Sequence, residues 1–407
     1  MAEVGCTGVA AYTRGLLVGG MPQSAYISRV VLENYKSIRR CDVSLDSITF
    51  LVGPNGAGKS NFVEALRFLS YAVGTSLEQA LASRSGFRTV LYRGAEPGAS
   101  VTFELHFRLD EFRNGRYFLA LQSDPTGSVT VAREECGLFT AGRKDWFKVA
   151  NGVVTSSEQL TPAASAEKLY LVNASGLPVF EPVYRALSSI VVYNPMPEEI
   201  QGFHLERGFR YLDRKGTGLA EAVHSLEKSH PEQMIRVSEY LRRINPSVVK
   251  IDAGLVDSNY TLRFELSERT GVVQSFPSQN MSDGTLRALA ILIALFQIND
   301  RYPLTLIGLE EPAAGVHPAA AGVLFDALIE GSRSRQVVVT SHSPDLLDRE
   351  DLPEHALKAV VMDQGETIIG EVEAAGKSAI REHLFTAGEL LRMDQLRPEG
   401  ASERAGS

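Results

Sequence analysis

Gly53-Pro54-Asn55-Gly56-Ala57-Gly58-Lys59-Ser60 decides how the rest of this chain is read. An apolar run, Ile48-Thr49-Phe50-Leu51-Val52, precedes it and reads as a strand. Asn61-Phe62-Val63-Glu64-Ala65-Leu66 follows and reads as the opening of a helix. Strand, glycine-rich turn and helix form the setting in which G-x-x-x-x-G-K-[ST] means a phosphate cradle. Glycines let the backbone wrap without Cβ clashes, so successive N–H groups from Asn55, Gly56, Ala57, Gly58, Lys59, Ser60 and Asn61 can face phosphate oxygens. The helix that starts there adds the positive end of its dipole. Lys59 is expected to reach the β- and γ-phosphates and Ser60 to hold Mg²⁺. A chance glycine-rich turn would not match every position in this setting. The pattern implies a nucleoside triphosphate site.

The 407 residues leave room for two or three domain-sized units and an ample core. With 44% hydrophobic and 22% charged residues, the composition is that of an ordinary globular protein. A net charge of −8 rules out a global basic field and leaves only a local basic patch for nucleic acid. The three cysteines, Cys6, Cys41 and Cys136, lie far apart and form no CxxC pair. They point to neither a zinc site nor a disulfide framework, and suit a reducing cytoplasm. No apolar run is long enough to span a membrane. Residues 1–25 read as a disordered extension, and 397–407 as a disordered tail.

Organisation follows from periodicity. Ile27–Leu32 and Val43–Leu45 read as strands ahead of the phosphate loop, and a helix is expected from Lys59 to about Tyr71. From Ser100 to about Val154 polar and apolar residues alternate between glycine-containing turns, which predicts an antiparallel meander. Ser189–Tyr193 is another buried strand. Residues 217–245 turn helical, and Val248–Ile251 and Tyr260–Leu266 are strand candidates. An apolar helix over Asp283–Phe296, a strand over Leu304–Leu309, a helix over Ala319–Ile329 and a strand over Gln336–Thr340 then alternate as a covered parallel sheet requires.

Three further elements carry candidate chemistry. Leu304–Leu309 ends in Glu310-Glu311-Pro312, and a buried strand ending in two carboxylates is where a phosphate-loop ATPase keeps its Mg²⁺ partner and water-activating base. Glu310 is assigned to the metal side and Glu311 to the base; alone, such a pair would be a solvated edge. Ser282-Asp283-Gly284 opens the apolar helix and offers a hydroxyl and free N–H groups to an anion, with an ordinary N-cap as the bland alternative. Val337-Val338-Val339-Thr340-Ser341-His342 is a strand ending in an imidazole, which by itself would be structural.

The order of these elements resembles the ABC-type ATPase head. The expected fold class is therefore α/β: a P-loop NTPase head of ABC type with a mixed sheet, an antiparallel β insert and a helical lobe. The resemblance implies that Ser282 and Gly284 of one subunit close over the γ-phosphate of ATP bound by the other, while His342 contacts it from its own subunit. It thus implies an ATP-dependent homodimer holding ATP and Mg²⁺ in two composite sites.

The long separation of Lys59 from Ser282, together with Glu310-Glu311-Pro312 and Val316-His317-Pro318, resembles the RecF/SMC/OLD-related branch, in detail the bacterial "predicted ATPase" group (AAA_15/AAA_21-like). Tyr35-Lys36-Ser37-Ile38, Ser341–Asp348 and Phe385–Arg392 add to it. Ala313 after the proline, and Glu310 where the wider family has Asp, depart from the pattern. Gln201 is the candidate for the lobe-linking glutamine, with a solvated surface glutamine as the alternative.

The expected organisation is 26–200 as the first lobe with its phosphate loop and β insert, 201–275 as a helix-and-strand insert of the second lobe, and 276–396 as the signature helix, acidic strand and switch histidine. Too little follows His342 for an added nuclease domain, so double-stranded DNA or a separately encoded nuclease or effector is the expected partner, with no membrane. The resemblance implies ATP hydrolysis coupled to DNA repair or anti-phage defence; the alternative is a nucleotide-gated signalling or scaffold protein with little hydrolysis.

Overall fold

The computed structural model describes residues 25–400, apart from 125–126, 151, 159–160, 203, 206–211, 257–258, 268–270 and 299–302. Residues 1–24 of the expected extension (1–25) and residues 401–407 of the expected tail (397–407) lie outside the described residues. Its frame is a six-stranded sheet built from β3 (Ile48–Val52), β9 (Ile190–Tyr193), β14 (Leu306–Glu310), β15 (Gln336–Ser341), β16 (Leu357–Asp363) and β17 (Glu366–Glu371). The strand order is β17-β16-β3-β15-β14-β9, and only the β16–β17 pair is antiparallel. Every residue of β3, β14 and β15 is buried, as expected of strands covered on both faces.

Strand alternation splits the apolar residues between two cores. Leu51, Leu306 and Val338 join the core beneath the helix Lys59–Gly74. Phe50, Val52, Ile307, Leu309, Val337 and Val339 join the core of the helices Asp283–Phe296 and Pro318–Ser332. Asp283–Phe296 is buried along almost its whole length, which its all-round apolar sequence dictates. The helices Leu219–Ser229 and Pro231–Ile244 pack into that second core through Leu219, Val223, Leu226, Met234, Val237 and Leu241.

The first core continues under a seven-stranded antiparallel sheet of β1 (Tyr26–Tyr35), β2 (Ile38–Ser44), β4 (Val101–Arg108), β5 (Asn114–Ser123), β6 (Val129–Thr140), β7 (Arg143–Ala150) and β8 (Val153–Ser156), in the order β2-β1-β4-β5-β6-β7-β8. This is the meander expected from alternation, extended by the hairpin ahead of the phosphate loop. A third sheet joins β10 (His204–Leu205), β11 (Val248–Val256), β12 (Asn259–Ser267) and β13 (Val273–Pro277).

Glu134 on β6 is a charge-bearing residue with no exposure at all. Its carboxylate accepts from Tyr117 Oη at 2.9 Å and from the N–H groups of Tyr170 and Leu171 at 2.5 and 2.8 Å, so it ties the sheet to the start of the short helix Tyr170–Ala174. Burial pushes its pKa from the ordinary 4.5 to about 7, although those three donors pull the other way. A carboxyl raised in the folded state adds stability that is complete below about pH 4.5 and is lost as pH rises towards 7. The difference amounts to about 3 kcal/mol. Glu134→Gln is expected to flatten that part of the profile; urea denaturation of both proteins between pH 4.5 and 8 checks it, and parallel profiles would contradict it.

The tail expectation needs one correction. Arg397–Gly400 is ordered against the end of β17: the Arg397 carbonyl accepts from Glu373 N, Glu399 N donates to the Glu371 carbonyl, and Pro398 bridges to Val372. The second expected strand is also longer than its apolar part, running Ile38–Ser44. Among the described residues no helix is long and apolar enough to cross a membrane.

Candidate active site

The phosphate loop joins β3 to the helix Lys59–Gly74, with Gly56 and Gly58 at φ of +79° and +98°. Such angles favour glycine. Two of the loop's glycines are also required by what lies behind them. A Cβ on Gly53 would sit 1.9 Å from the Val360 carbonyl oxygen, and one on Gly58 would sit 1.9 Å from Thr367 Oγ1. The β16–β17 hairpin therefore backs the loop directly. Thr367 is fully buried; its hydroxyl bonds the Ala57 carbonyl at 3.0 Å and Ser37 Oγ at 2.7 Å, and Asn61 Nδ2 donates to Ser37 Oγ at 2.6 Å. Asn61, expected to face the nucleotide, thus also anchors the loop to the β1–β2 turn. Asn55 and Gly56 are exposed at the loop tip, while Ala57 is buried.

Lys59 is 5% exposed, and its Nζ donates to the Gly53 and Pro54 carbonyls at 2.9 and 3.0 Å. Burial lowers its pKa, and Glu311 opposes that shift. Glu311 Oε1 lies 3.6 Å from the ammonium. At Glu311 the backbone leaves β14 in a left-handed turn (φ +48°), held by its N–H on the Thr340 carbonyl at 3.0 Å. That turn separates two adjacent carboxylates. Glu311 points to Lys59 and His342, whereas Glu310 points to Arg214 Nη2 at 2.7 Å. His342 meets Glu311 Oε2 twice, through its backbone N–H at 3.1 Å and Nδ1 at 2.8 Å. Because a carboxylate only accepts, Nδ1 carries the proton in that contact.

Ser60 and Glu310 line one cavity of about 390 Å³, together with Lys36, Asn61, Glu64, Arg67, Arg84, Thr89 and Arg214. Four cationic side chains face two carboxylates there, a balance that suits a polyanion. Glu64 is gripped by Arg67 at 2.6 Å and Arg84 at 2.7 Å. Burial alone would raise its pKa; Arg67, Arg84 and Lys36 outweigh burial and hold it below the usual range. Among the described residues, Arg84 Nη2 and Arg214 Nε are buried without a hydrogen-bond partner. A cavity with this excess of cationic side chains beside a phosphate loop fits a triphosphate, and the hydroxyl of Ser60 with the carboxylate of Glu310 fits a hard cation such as Mg²⁺.

Ser282 caps the helix Asp283–Phe296, with its Oγ 2.8 Å from Thr285 Oγ1 and accepting from Thr285 N at 3.4 Å. Gly284 packs against the loop after the acidic strand, where a Cβ would meet the Gly315 carbonyl oxygen at 2.3 Å. Both residues therefore serve their own chain: one as a cap, the other as a close-packed contact. Arg287, one turn on, donates to the Pro195, Glu310 and Glu311 carbonyls and to Asn194 Oδ1, which ties this helix to the acidic strand end. Gln201, the lobe-linking candidate, offers its carbonyl to Gln279 Nε2 at 2.9 Å. Sequence reasoning missed Arg84, Arg214 and Thr367, which lie in no recognisable pattern and acquire their places only through the fold. Arg287 closes the Met281–Arg287 stretch that opens the apolar helix, but its contacts show only in the fold.

Residues 26–94 match the family described as "AAA ATPase domain", and residues 173–348 the family described as "AAA domain, putative AbiEii toxin, Type IV TA system". A DNA replication and repair protein RecF of Vibrio vulnificus is 37% identical over 59 residues, 14% of this chain and 16% of that protein. An OLD nuclease of Thermus scotoductus is 22% identical over 366 residues, 87% of this chain and 66% of that protein. The chain thus spans less than two thirds of the length of either relative. A solved SmcHead bound to the C-winged helix domain of ScpA superposes with a TM-score of 0.54 at 14% identity, covering 86% of this chain and 99% of that one. Two segments of the chain thus match AAA ATPase family models, on a mixed α/β fold resembling the SMC head, with RecF and the OLD nuclease among its distant relatives.

Proposed function

We propose that this protein hydrolyses ATP as an ABC-type head that closes as a homodimer around two Mg²⁺-ATP molecules. We further infer that closure serves DNA maintenance or anti-phage defence through double-stranded DNA or a separately encoded nuclease or effector. One observation carries the hydrolytic reading: Glu311 stands between Lys59 and His342 beside the phosphate loop, while Ser60 and Glu310 share the adjoining cavity.

In this reading the loop N–H groups and Lys59 bind the triphosphate, and Lys59 exchanges its two carbonyl contacts for phosphate oxygens. Ser60 and Glu310 would hold Mg²⁺, which neutralises charge on the phosphates when bound. Glu311 takes the proton of the attacking water. His342, its Nδ1–H on Glu311, orients that carboxylate and presents its other ring nitrogen towards the γ-phosphate. Ser282 and Gly284 of the second copy complete the site with the N-terminus of their helix. The ranges 26–200, 201–275 and 276–396 are the working units of this reading.

The relatives named for replication, repair and nuclease action support a DNA-linked role. Double-stranded DNA is expected to raise the ATPase rate at low salt, with binding that weakens steeply as salt rises. Steady-state hydrolysis with and without DNA across a salt series checks this. An ATPase rate indifferent to DNA at low salt would remove DNA as the partner and leave the effector arm.

A further inference from the structure

We propose that Arg214 is a displaceable counter-ion for Glu310: it occupies the metal-side carboxylate before nucleotide arrives, then exchanges it for an oxygen of the triphosphate. The inference rests on the ATP reading above and adds a residue that no motif contains.

Glu310 ends β14 with 9% exposure, and its carboxylate lines the same cavity as Ser60. Arg214 holds Glu310 Oε1 at 2.7 Å with one amino group of its guanidinium. A buried carboxylate is stable when paired, so Arg214 meets that need in the absence of another cation. A divalent cation on the same carboxylate would sit close to the guanidinium, and like charges at such range repel. Arg214 therefore leaves Glu310 as the metal site fills.

Its destination follows from the same cavity. Arg214 Nε is buried and unpartnered among the described residues, so the contact with Glu310 leaves the fork of donors incompletely used. A planar fork of this kind pairs well with phosphate oxygens. The main chain beneath it is fixed: Asn194 N donates to the Arg214 carbonyl at 2.8 Å, and Met196 N to the Lys215 carbonyl at 2.8 Å. Asp213 closes the turn by accepting from Lys215 N through its carboxylate at 2.9 Å and from Gly216 N through its carbonyl at 3.0 Å. The exchange is thus a swing of the side chain over a held backbone. Two residues beyond that turn, Gly218 opens the helix Leu219–Ser229, so the contact that changes lies next to the helical part of the second core.

The test is binding of ATP in EDTA, where Arg214 must give up Glu310 with no metal to replace it. Glu310→Gln releases the arginine and is expected to tighten metal-free ATP about tenfold, the size of one charge-assisted contact. Arg214→Gln is expected to weaken it about tenfold. Because removing any carboxylate favours an anion, the double variant decides the matter. The loss caused by Arg214→Gln should be larger in the Glu310→Gln background, where the whole donor fork is free for phosphate, than in wild type, where an arginine that only neutralises Glu310 would matter more. Calorimetric titration measures each arm, with thermal melting to establish that each variant is folded. An Arg214→Gln loss no larger in the Glu310→Gln background than in wild type, or no gain in Glu310→Gln alone, would overturn the exchange while leaving the ATP reading intact. If Arg214→Gln does not fold, the Glu310→Gln arm still overturns the proposal by showing no gain. Wild-type protein that binds no ATP even with Mg²⁺ would bring down the ATP reading and this exchange with it.

Discussion

Glu311→Gln should lower ATP turnover by about a hundred- to ten-thousandfold, the range set by loss of a general base. The substitution is close to isosteric. Its amide oxygen can still accept from His342, whose backbone N–H and Nδ1 both converge on Glu311 Oε2. What disappears is the basic oxygen and the negative charge 3.6 Å from Lys59. ATP binding should therefore be retained or tightened, because a charge that repels the γ-phosphate is gone. Single-turnover hydrolysis and equilibrium binding on the same preparation separate the two effects. Turnover within a few-fold of wild type would remove Glu311 from the chemistry and favour a nucleotide-gated switch.

Lys59→Ala should abolish ATP binding at working concentrations, weakening it at least about a hundredfold, as expected for losing a charged donor to two phosphates. The ammonium is nearly fully buried and, among the described residues, is held by the Gly53 and Pro54 carbonyls and the nearby Glu311. The rest of the loop offers N–H dipoles, so no other group within it can replace the lost charge. Calorimetric titration with Mg²⁺-ATP measures the loss, and a melting curve separates it from unfolding. Unchanged affinity would contradict the cradle assignment.

The elements that were legible in the sequence were those whose signal is local. The phosphate loop, the acidic strand end and the strand before His342 each declare themselves within a few residues, and the meander of β4 to β7 shows in stretches of alternation broken by a bulge in β6. Glu134 was illegible for a physical reason. Counting by twos from Val131 sends Arg133 and Glu135 inward, but an extra residue in β6 opposite Ala120 and Leu121 shifts the register and turns Glu134, Cys136 and Leu138 to the core. Composition predicts disorder for Arg397–Gly400, whereas its order comes from backbone bonds to the end of β17 that composition does not record.

The candidate site shows the same division. Lys59, Ser60, Glu310, Glu311 and His342 were nameable because motif spacing carries them. Thr367 reaches Ala57 and Ser37 across more than three hundred residues, and Arg214 reaches Glu310 across nearly a hundred. Long-range polar partners of this kind have no periodicity to betray them. They also change what the motif residues do: Gly53 and Gly58 answer to the β16–β17 hairpin as well as to phosphate, and Glu310 faces an arginine before any metal.

The most direct test of the central claim is the mass of the protein in solution with Mg²⁺ and a hydrolysis-resistant ATP analogue. Analytical ultracentrifugation should show a doubling when the analogue is bound, and Ser282→Arg should bind the same analogue yet sediment as a single chain. Wild-type protein that remains a single chain with the analogue demonstrably bound would contradict the account.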